Sequence, residues 1–179
     1  MKTPSKNNLM FAFFLLFFTL SIGLALAQGR WTQAAPMPEE RSEVPAAGLN
    51  GKIYVAGGFG VTRILWEYDI RVNRWRKRAP LPLPLHHTGI ASVGGKLYVI
   101  GGYSDHEWKP VGNVFAYDSV RDRWQERATM PTARGGLAVG ILYGKIHAVG
   151  GLDLGGDKAR AHEVYDPTAD KWTSPRGPC

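Results

Sequence analysis

A repeat constrains this chain more than any other feature: the same landmarks return at the same spacing three times. The middle copy runs Leu81-Pro82, an alternating apolar segment to Gly101-Gly102, a loop, then Tyr117-Asp118 and Trp124. Upstream the landmarks are Met37-Pro38, Gly57-Gly58, Tyr68-Asp69 and Trp75; downstream they are Met130-Pro131, Gly150-Gly151, Tyr165-Asp166 and Trp172. Proline to first glycine is 19 residues in every copy, tyrosine to tryptophan is 7, and tryptophan to the next proline is 7 (31 to 38, 75 to 82, 124 to 131). Only the interval from second glycine to tyrosine varies, at 10, 15 and 14 residues. All length variation therefore falls in one loop, where an added residue disturbs neither ladder nor core.

Each copy predicts four short strands. Ile90 to Val93, Gly94-Gly95 and Leu97 to Ile100 read as a hairpin, with Asn50-Gly51 and Tyr143-Gly144 in the same turn of the other copies. A third strand ends in the Tyr-Asp pair, whose aspartate can close the next turn with its own side chain. A fourth carries the tryptophan. The double glycine supplies positive φ and close approach of backbone, and the tryptophans supply apolar area between sheets with an N–H that needs a partner.

These residues resemble the Kelch repeat, over residues 31 to 172. The double glycine, the Tyr-Asp pair, the Trp seven residues on and the Arg after Met-Pro all fit in the outer copies, through Arg41 and Arg134. The middle copy departs, with Leu85 in the arginine position and His86-His87 beyond it. The resemblance implies an all-β fold, an incomplete β-propeller of three four-stranded blades (repeats about 37–75, 81–124 and 130–172). Trp31-Thr32-Gln33 has the spacing of a fourth strand and predicts one orphan N-terminal strand. Propellers usually have about 4 to 8 blades. The expectation is therefore a part of a longer propeller, with further blades beyond Cys179, or else self-association of two such arcs into a six-bladed ring.

Residues 1–27 are a different material. Lys2 and Lys6 precede an apolar run from Leu9 to Leu26, and Ala25-Leu26-Ala27 is a small-x-small cleavage pattern before Gln28. A secretory signal peptide is expected, and with it a secreted or periplasmic protein without membrane attachment once the leader is cleaved. The other reading is an uncleaved anchor, since about 18 apolar residues can just span a bilayer. The lone cysteine, Cys179, excludes an intrachain disulfide and a cysteine metal cluster. Without Lys2 and Lys6 the chain holds 20 basic and 15 acidic residues. Arg71, Arg74, Arg76, Lys77 and Arg78 crowd one turn and outer strand, where charge discourages edge-to-edge pairing. With export also expected, nucleic acid is not an expected partner.

In an up-and-down blade the loops between strands two and three share a face with the connections into each blade. That face gathers Phe59 to Arg63, Tyr103 to Asn113 and Leu152 to His162, together with Arg41 to Glu43, Leu85 to His87 and Arg134 to Gly136. Candidate ligand-binding residues there are Arg41, Glu43, His86, His87 and Arg134. Glu43 and His87 occupy equivalent positions in neighbouring copies, fit for an acid and base pair or for hydrogen bonds to a polar ligand, and are the candidate catalytic residues. Either side chain capping a strand end is the plain alternative. Arg41 and Arg134 also read as ties between blades, with anion recognition second. Asp105-His106-Glu107, and Asp153 with Asp157, offer metal-type ligands without the spacing of a known site, so no metal or cofactor is expected.

Two function classes are compatible with these residues. One is a non-catalytic module holding a protein or glycan ligand on the loop-rich face. The other is an enzyme, because exported Kelch proteins resemble sialic-acid epimerases (mutarotases). The copper-dependent galactose oxidases that share the scaffold need a cysteine cross-linked to tyrosine, which Cys179 does not fit.

Overall fold

Apolar alternation on both sides of a two-residue turn builds each blade. In the computed structural model, which describes residues 29–60, 62–104, 108–155 and 160–174, all regular structure is strand. The first sheet is β1 (Ala46–Leu49), β2 (Lys52–Ala56), β3 (Leu65–Asp69) and β4 (Arg74–Lys77). The second is β5 (Gly89–Val93), β6 (Lys96–Ile100), β7 (Val114–Asp118) and β8 (Arg123–Arg127). The third is β9 (Ala138–Leu142), β10 (Lys145–Val149), β11 (His162–Asp166) and β12 (Lys171–Thr173). Every sheet is antiparallel in simple chain order, so the all-β, three-bladed reading holds and the three sheets form an open arc.

The turns carry the chemistry their sequence requires. Both central residues have positive φ at Asn50-Gly51 (52° and 72°), Gly94-Gly95 (59° and 72°) and Tyr143-Gly144 (50° and 72°). That is the mirror-image turn whose twist matches the flanking strands. At the other end, the Oδ1 of Asp69, Asp118 and Asp166 accepts backbone N–H bonds from Arg71, from Val120 and Arg121, and from Thr168 and Ala169.

Strand alternation sends one face of each blade forward and the other back. Between blades one and two, Leu49, Tyr54, Ala56 and Leu65 meet Leu97, Val99, Phe115 and Tyr117. Between two and three, Ala91, Tyr98, Ile100, Val114 and Ala116 meet Met130, Leu137, Ile146, Ala148 and Tyr165. The double glycines permit this closeness at the inner end of the sheets. A Cβ on Gly57 would lie 2.2 Å from the Leu85 carbonyl oxygen, and one on Gly101 2.7 Å from that of Arg134.

The recurring tryptophans close a clip onto the connection that leads into each blade. The Trp75, Trp124 and Trp172 indoles donate to the carbonyls of Ala35, Ala79 and Ala128, at 2.9, 2.8 and 2.7 Å. The same three alanines donate their N–H to the Oδ1 of Asn73, Asp122 and Asp170, which also accepts the hydroxyl of Tyr68, Tyr117 or Tyr165 at 2.6 Å. Each clip residue has positive φ, which Asn and Asp tolerate better than most. The tryptophans are half-buried, so Trp124→Ala should cost about 2 kcal/mol, below the range for a fully buried indole. Chemical denaturation would measure it.

The basic cluster on β4 is largely engaged. Arg76 and Lys52 pair with the buried Glu67, Lys77 pairs with Glu39 over the Trp66 ring, and Arg78 reaches across to donate to the Tyr117 hydroxyl at 2.8 Å. Burial works to raise the Glu67 pKa, but bonds from Lys52, Tyr54 and Arg76 outweigh it and hold the carboxyl below its ordinary value.

One expectation fails. The chain divides into residues 1–34 and 35–179, and in the first unit the described residues 29–34 form no strand, although Trp31 has fourth-strand spacing. A strand exists only by pairing its N–H and C=O groups with a neighbour's, and spacing to the next proline supplies no such neighbour. The expected leader, residues 1–27, lies outside the described residues.

Candidate functional site

The fifth residue after each repeat proline is Glu43, His87 or Gly136, and all three have positive φ, at 57°, 53° and 64°. This kink turns the incoming connection along the inner rim. There the backbone links blade to blade: His87 N–H donates to Glu43 C=O at 3.4 Å, and Gly136 N–H to His87 C=O at 2.9 Å. Non-glycine residues in this conformation are uncommon, and two in register mark a rim whose backbone is fixed by its surroundings.

Glu43 and His87 are thereby brought together, with His87 Nε2 2.8 Å from Glu43 Oε2. His86 stands behind, its Nδ1 2.7 Å from His87 Nδ1. With His87 neutral, its Nε2–H donates to the carboxylate, so its Nδ1 must accept from His86 Nδ1–H. The result is a directed chain, His86 to His87 to Glu43. Glu43 is 46% exposed and His87 18%. The chain therefore opens outward at the carboxylate.

Burial lowers the His87 pKa from the ordinary 6.5; the Glu43 carboxylate opposes this and His86 adds to it. A histidine held neutral by the fold gives stability that is fully present above the unfolded value and lost as pH falls below 6.5 and through the lower folded value. Thermal unfolding between about pH 5 and 8 should show this loss, and His87→Gln should flatten it.

Around this chain lies a cluster of rings. Trp108 stands 4.7 Å from His87, 5.1 Å from His86, 5.2 Å from Tyr103 and 6.1 Å from Phe59, centroid to centroid. Phe59 and Trp108 are 47% and 46% exposed, whereas Tyr103 and His86 are buried at 4% and 2%. Trp108 has a φ of 60°, a costly conformation for a bulky side chain. Sequence reading placed Phe59 and Trp108 in face loops without singling them out. A lone tryptophan or phenylalanine outside the repeat spacing carries no signal until the blades bring it to the histidine pair.

Glu43 and His87 also line a pocket of about 420 Å³, together with Arg41, Val44, Thr88 and Leu137, among others. Arg41 bonds Glu39, while its Nε and the Thr88 Oγ1 are buried and have no partner among the described residues. Arg134 is elsewhere engaged. It is 0% exposed, ion-paired to Glu163, and donates to the carbonyls of Gly150, Thr132 and Ala148. Of the sequence candidates, then, Arg41, Glu43 and His87 share one pocket, His86 backs it, and Arg134 lies within the third blade. Among the described residues no three His, Cys, Asp or Glu side chains gather as a metal site. Asp105, His106, Glu107 and Asp157 lie outside the described residues.

The Kelch motif matches this sequence over residues 40–82 and 84–131, just over half of it. A search of the curated proteins finds no relative. Among solved structures, "Structure of YjhT" superposes with a TM-score of 0.70 at 17% identity, over 77% of this chain and 51% of that one. That likeness is one of fold, and this chain spans about half the length of that protein.

Proposed function

We propose, from the premise that this chain belongs to the Kelch-motif family, that it is an exported propeller module whose loop-rich face holds a glycan at Glu43, His87, Phe59 and Trp108. The observation that carries this is the pair of half-exposed rings, Phe59 and Trp108, beside an exposed carboxylate and a neutral histidine at the mouth of a pocket. A sugar presents apolar C–H faces that stack on aromatic rings and hydroxyls that donate to a carboxylate. A protein loop ending in a polar side chain is the other ligand such a surface accommodates, but the small pocket and paired rings favour the sugar. Export is supported by Lys2, Lys6, the apolar run and Ala25-Leu26-Ala27.

The test is titration of neutral and acidic saccharides followed by tryptophan fluorescence. Trp108→Ala should weaken binding at least about tenfold, equivalent to ~1.4 kcal/mol, with cooperative unfolding retained. Equal binding by the variant would overturn the reading.

A second reading is favoured by the directed chain from His86 to Glu43. Opening a reducing sugar ring needs a proton taken from the anomeric hydroxyl and another given to the ring oxygen. Glu43 is placed to take the first and, once protonated, to give a proton to the ring oxygen, while the His87 Nε2–H holds its carboxylate in place. Anomer exchange of reducing sugars, sialic acid first, followed by NMR would reveal it, and Glu43→Gln should abolish it. No turnover with any sugar that binds would leave the binding module alone.

A further inference from the structure

The end of the blades opposite the loop-rich face carries positive charge that the fold itself does not use. Antiparallel order places the β1–β2, β5–β6 and β9–β10 hairpin turns at one end of the sheets, together with the β3–β4, β7–β8 and β11–β12 turns. Asn50 and Ser119, 3.4 Å apart, join a hairpin turn of the first blade to the outer turn of the second. These turns, residues 50–52, 69–74, 94–96, 118–123, 143–145 and 166–171, hold eight lysines and arginines against five aspartates. The loop-rich end, residues 39–45, 57–64, 83–88, 101–113, 132–137 and 150–161, holds six against seven acidic residues. The two ends therefore differ in sign.

Each of the five aspartates is already ion-paired. Among the described residues Arg71, Arg74, Lys96, Arg123 and Lys171 have no ion pair, and all but Lys96 are exposed. Arg74, Arg123 and Lys171 stand directly before the repeat tryptophan, one in each blade, so the charge is spread along the arc. Four large apolar side chains project from the same turns: Ile70, Val72, Val120 and Tyr143 are 56%, 66%, 87% and 92% exposed. The turn does not demand them, since the equivalents of Ile70 are Ser119 and Pro167, and those of Val120 are Arg71 and Thr168. Arg71 lies between Ile70 and Val72, Arg121 follows Val120, and Lys145 is two residues beyond Tyr143.

We propose that this end of the blades docks on a bilayer surface rich in anionic lipid, with the cations against headgroup phosphates and the four apolar tips dipping into the interface. Charge identifies the occupant: lysines and arginines without carboxylate partners are drawn to the negative potential of such a surface. The arrangement of the tips fits it too. A protein partner needs a contiguous, close-packed apolar core, which separate points on convex turns do not provide. A fluid interface accepts each point singly, and a tyrosine is at home at that depth. This attachment runs through the folded turns and is distinct from the expected leader. It turns the loop-rich face away from the membrane, so it does not depend on the ligand reading above.

The test places an environment-sensitive dye on the full chain at Val120→Cys in a Cys179→Ser background, with Leu154→Cys, 81% exposed on the loop-rich end, as the comparison. The probe is vesicles of equal parts phosphatidylglycerol and phosphatidylcholine, against vesicles of phosphatidylcholine alone. The dye at 120 should shift to the blue on the anionic vesicles only, and raised salt should reverse the shift. The dye at 154 should stay unchanged; a chain held by its leader alone would leave the two positions alike and overturn the proposal. Adding Arg71→Ser with Arg74→Ser should raise the lipid concentration for half the shift at least about tenfold. A shift unaffected by that pair or by salt would also overturn it. So would binding of dextran sulfate without any response to vesicles, which would assign the face to a soluble polyanion. Retained cooperative unfolding checks that the variants fold, and Arg123→Ser with Lys171→Ser replaces the first pair if it does not.

Discussion

Replacing Arg134 with alanine is expected to cost about 3 to 5 kcal/mol of folding stability, the range for breaking a buried ion pair from one side. The guanidinium is fully buried, pairs with Glu163 and donates to three backbone carbonyls. Without it, Glu163 at 3% exposure keeps only the bonds from Thr132, and three carbonyls lose a donor. The second blade supplies the control. There the equivalent positions are Leu85 and Phe115, both buried in the apolar cluster between the first two blades. An Arg134→Leu, Glu163→Phe double variant should therefore be far closer to wild type than Arg134→Ala, since replacing both ions by apolar groups is often neutral. Urea unfolding of the three proteins measures the difference. A double variant as unstable as the single one would show that the pair does more than fill space.

Gly57→Ala is expected to destabilise by about 3 kcal/mol, from a positive φ together with a clash that only backbone movement relieves. Its φ is 64°, and an added Cβ would sit 2.2 Å from the carbonyl oxygen of Leu85 in the next blade. The same carbonyl accepts the N–H of Gly58, so moving it away breaks a bond that ties the blades. Gly94 separates the two causes. Its φ is 59° but nothing lies within 4 Å of its added Cβ, so Gly94→Ala should cost only about 1 to 2 kcal/mol, that of the conformation itself. Equal losses for the two variants would mean that φ alone explains the double glycine.

The repeat alone determined the blades. Alternation with period two assigns each strand residue to one of two faces, and paired glycines or Asn-Gly can turn only one way, so strand number, order and hairpin register are set locally. The tryptophan and aspartate roles were legible for the same reason, each recurring at a fixed distance from its partner. The clip residues Asn73, Asp122 and Asp170 recur equally regularly, two positions before each tryptophan, and that spacing could have found them. The orphan strand at Trp31 was misread because its spacing relates it only to the proline after it, whereas pairing needs a strand alongside.

The site was legible only in part. Alignment of the repeats put Glu43 and His87 in register, but whether registered side chains touch depends on how far one blade is turned from the next, which packing between faces sets. Tertiary structure decided the 2.8 Å contact, placed His86 behind it, and brought Phe59 and Trp108 from loops of unequal length to the same rim. It also separated Arg41 from Arg134, alike in sequence position: one lines a pocket, and the other meets a buried Glu163 that the first blade replaces with Trp66. A repeat fixes the features its copies share. The differences between copies are set by long-range contacts, and those form only once the blades stand side by side.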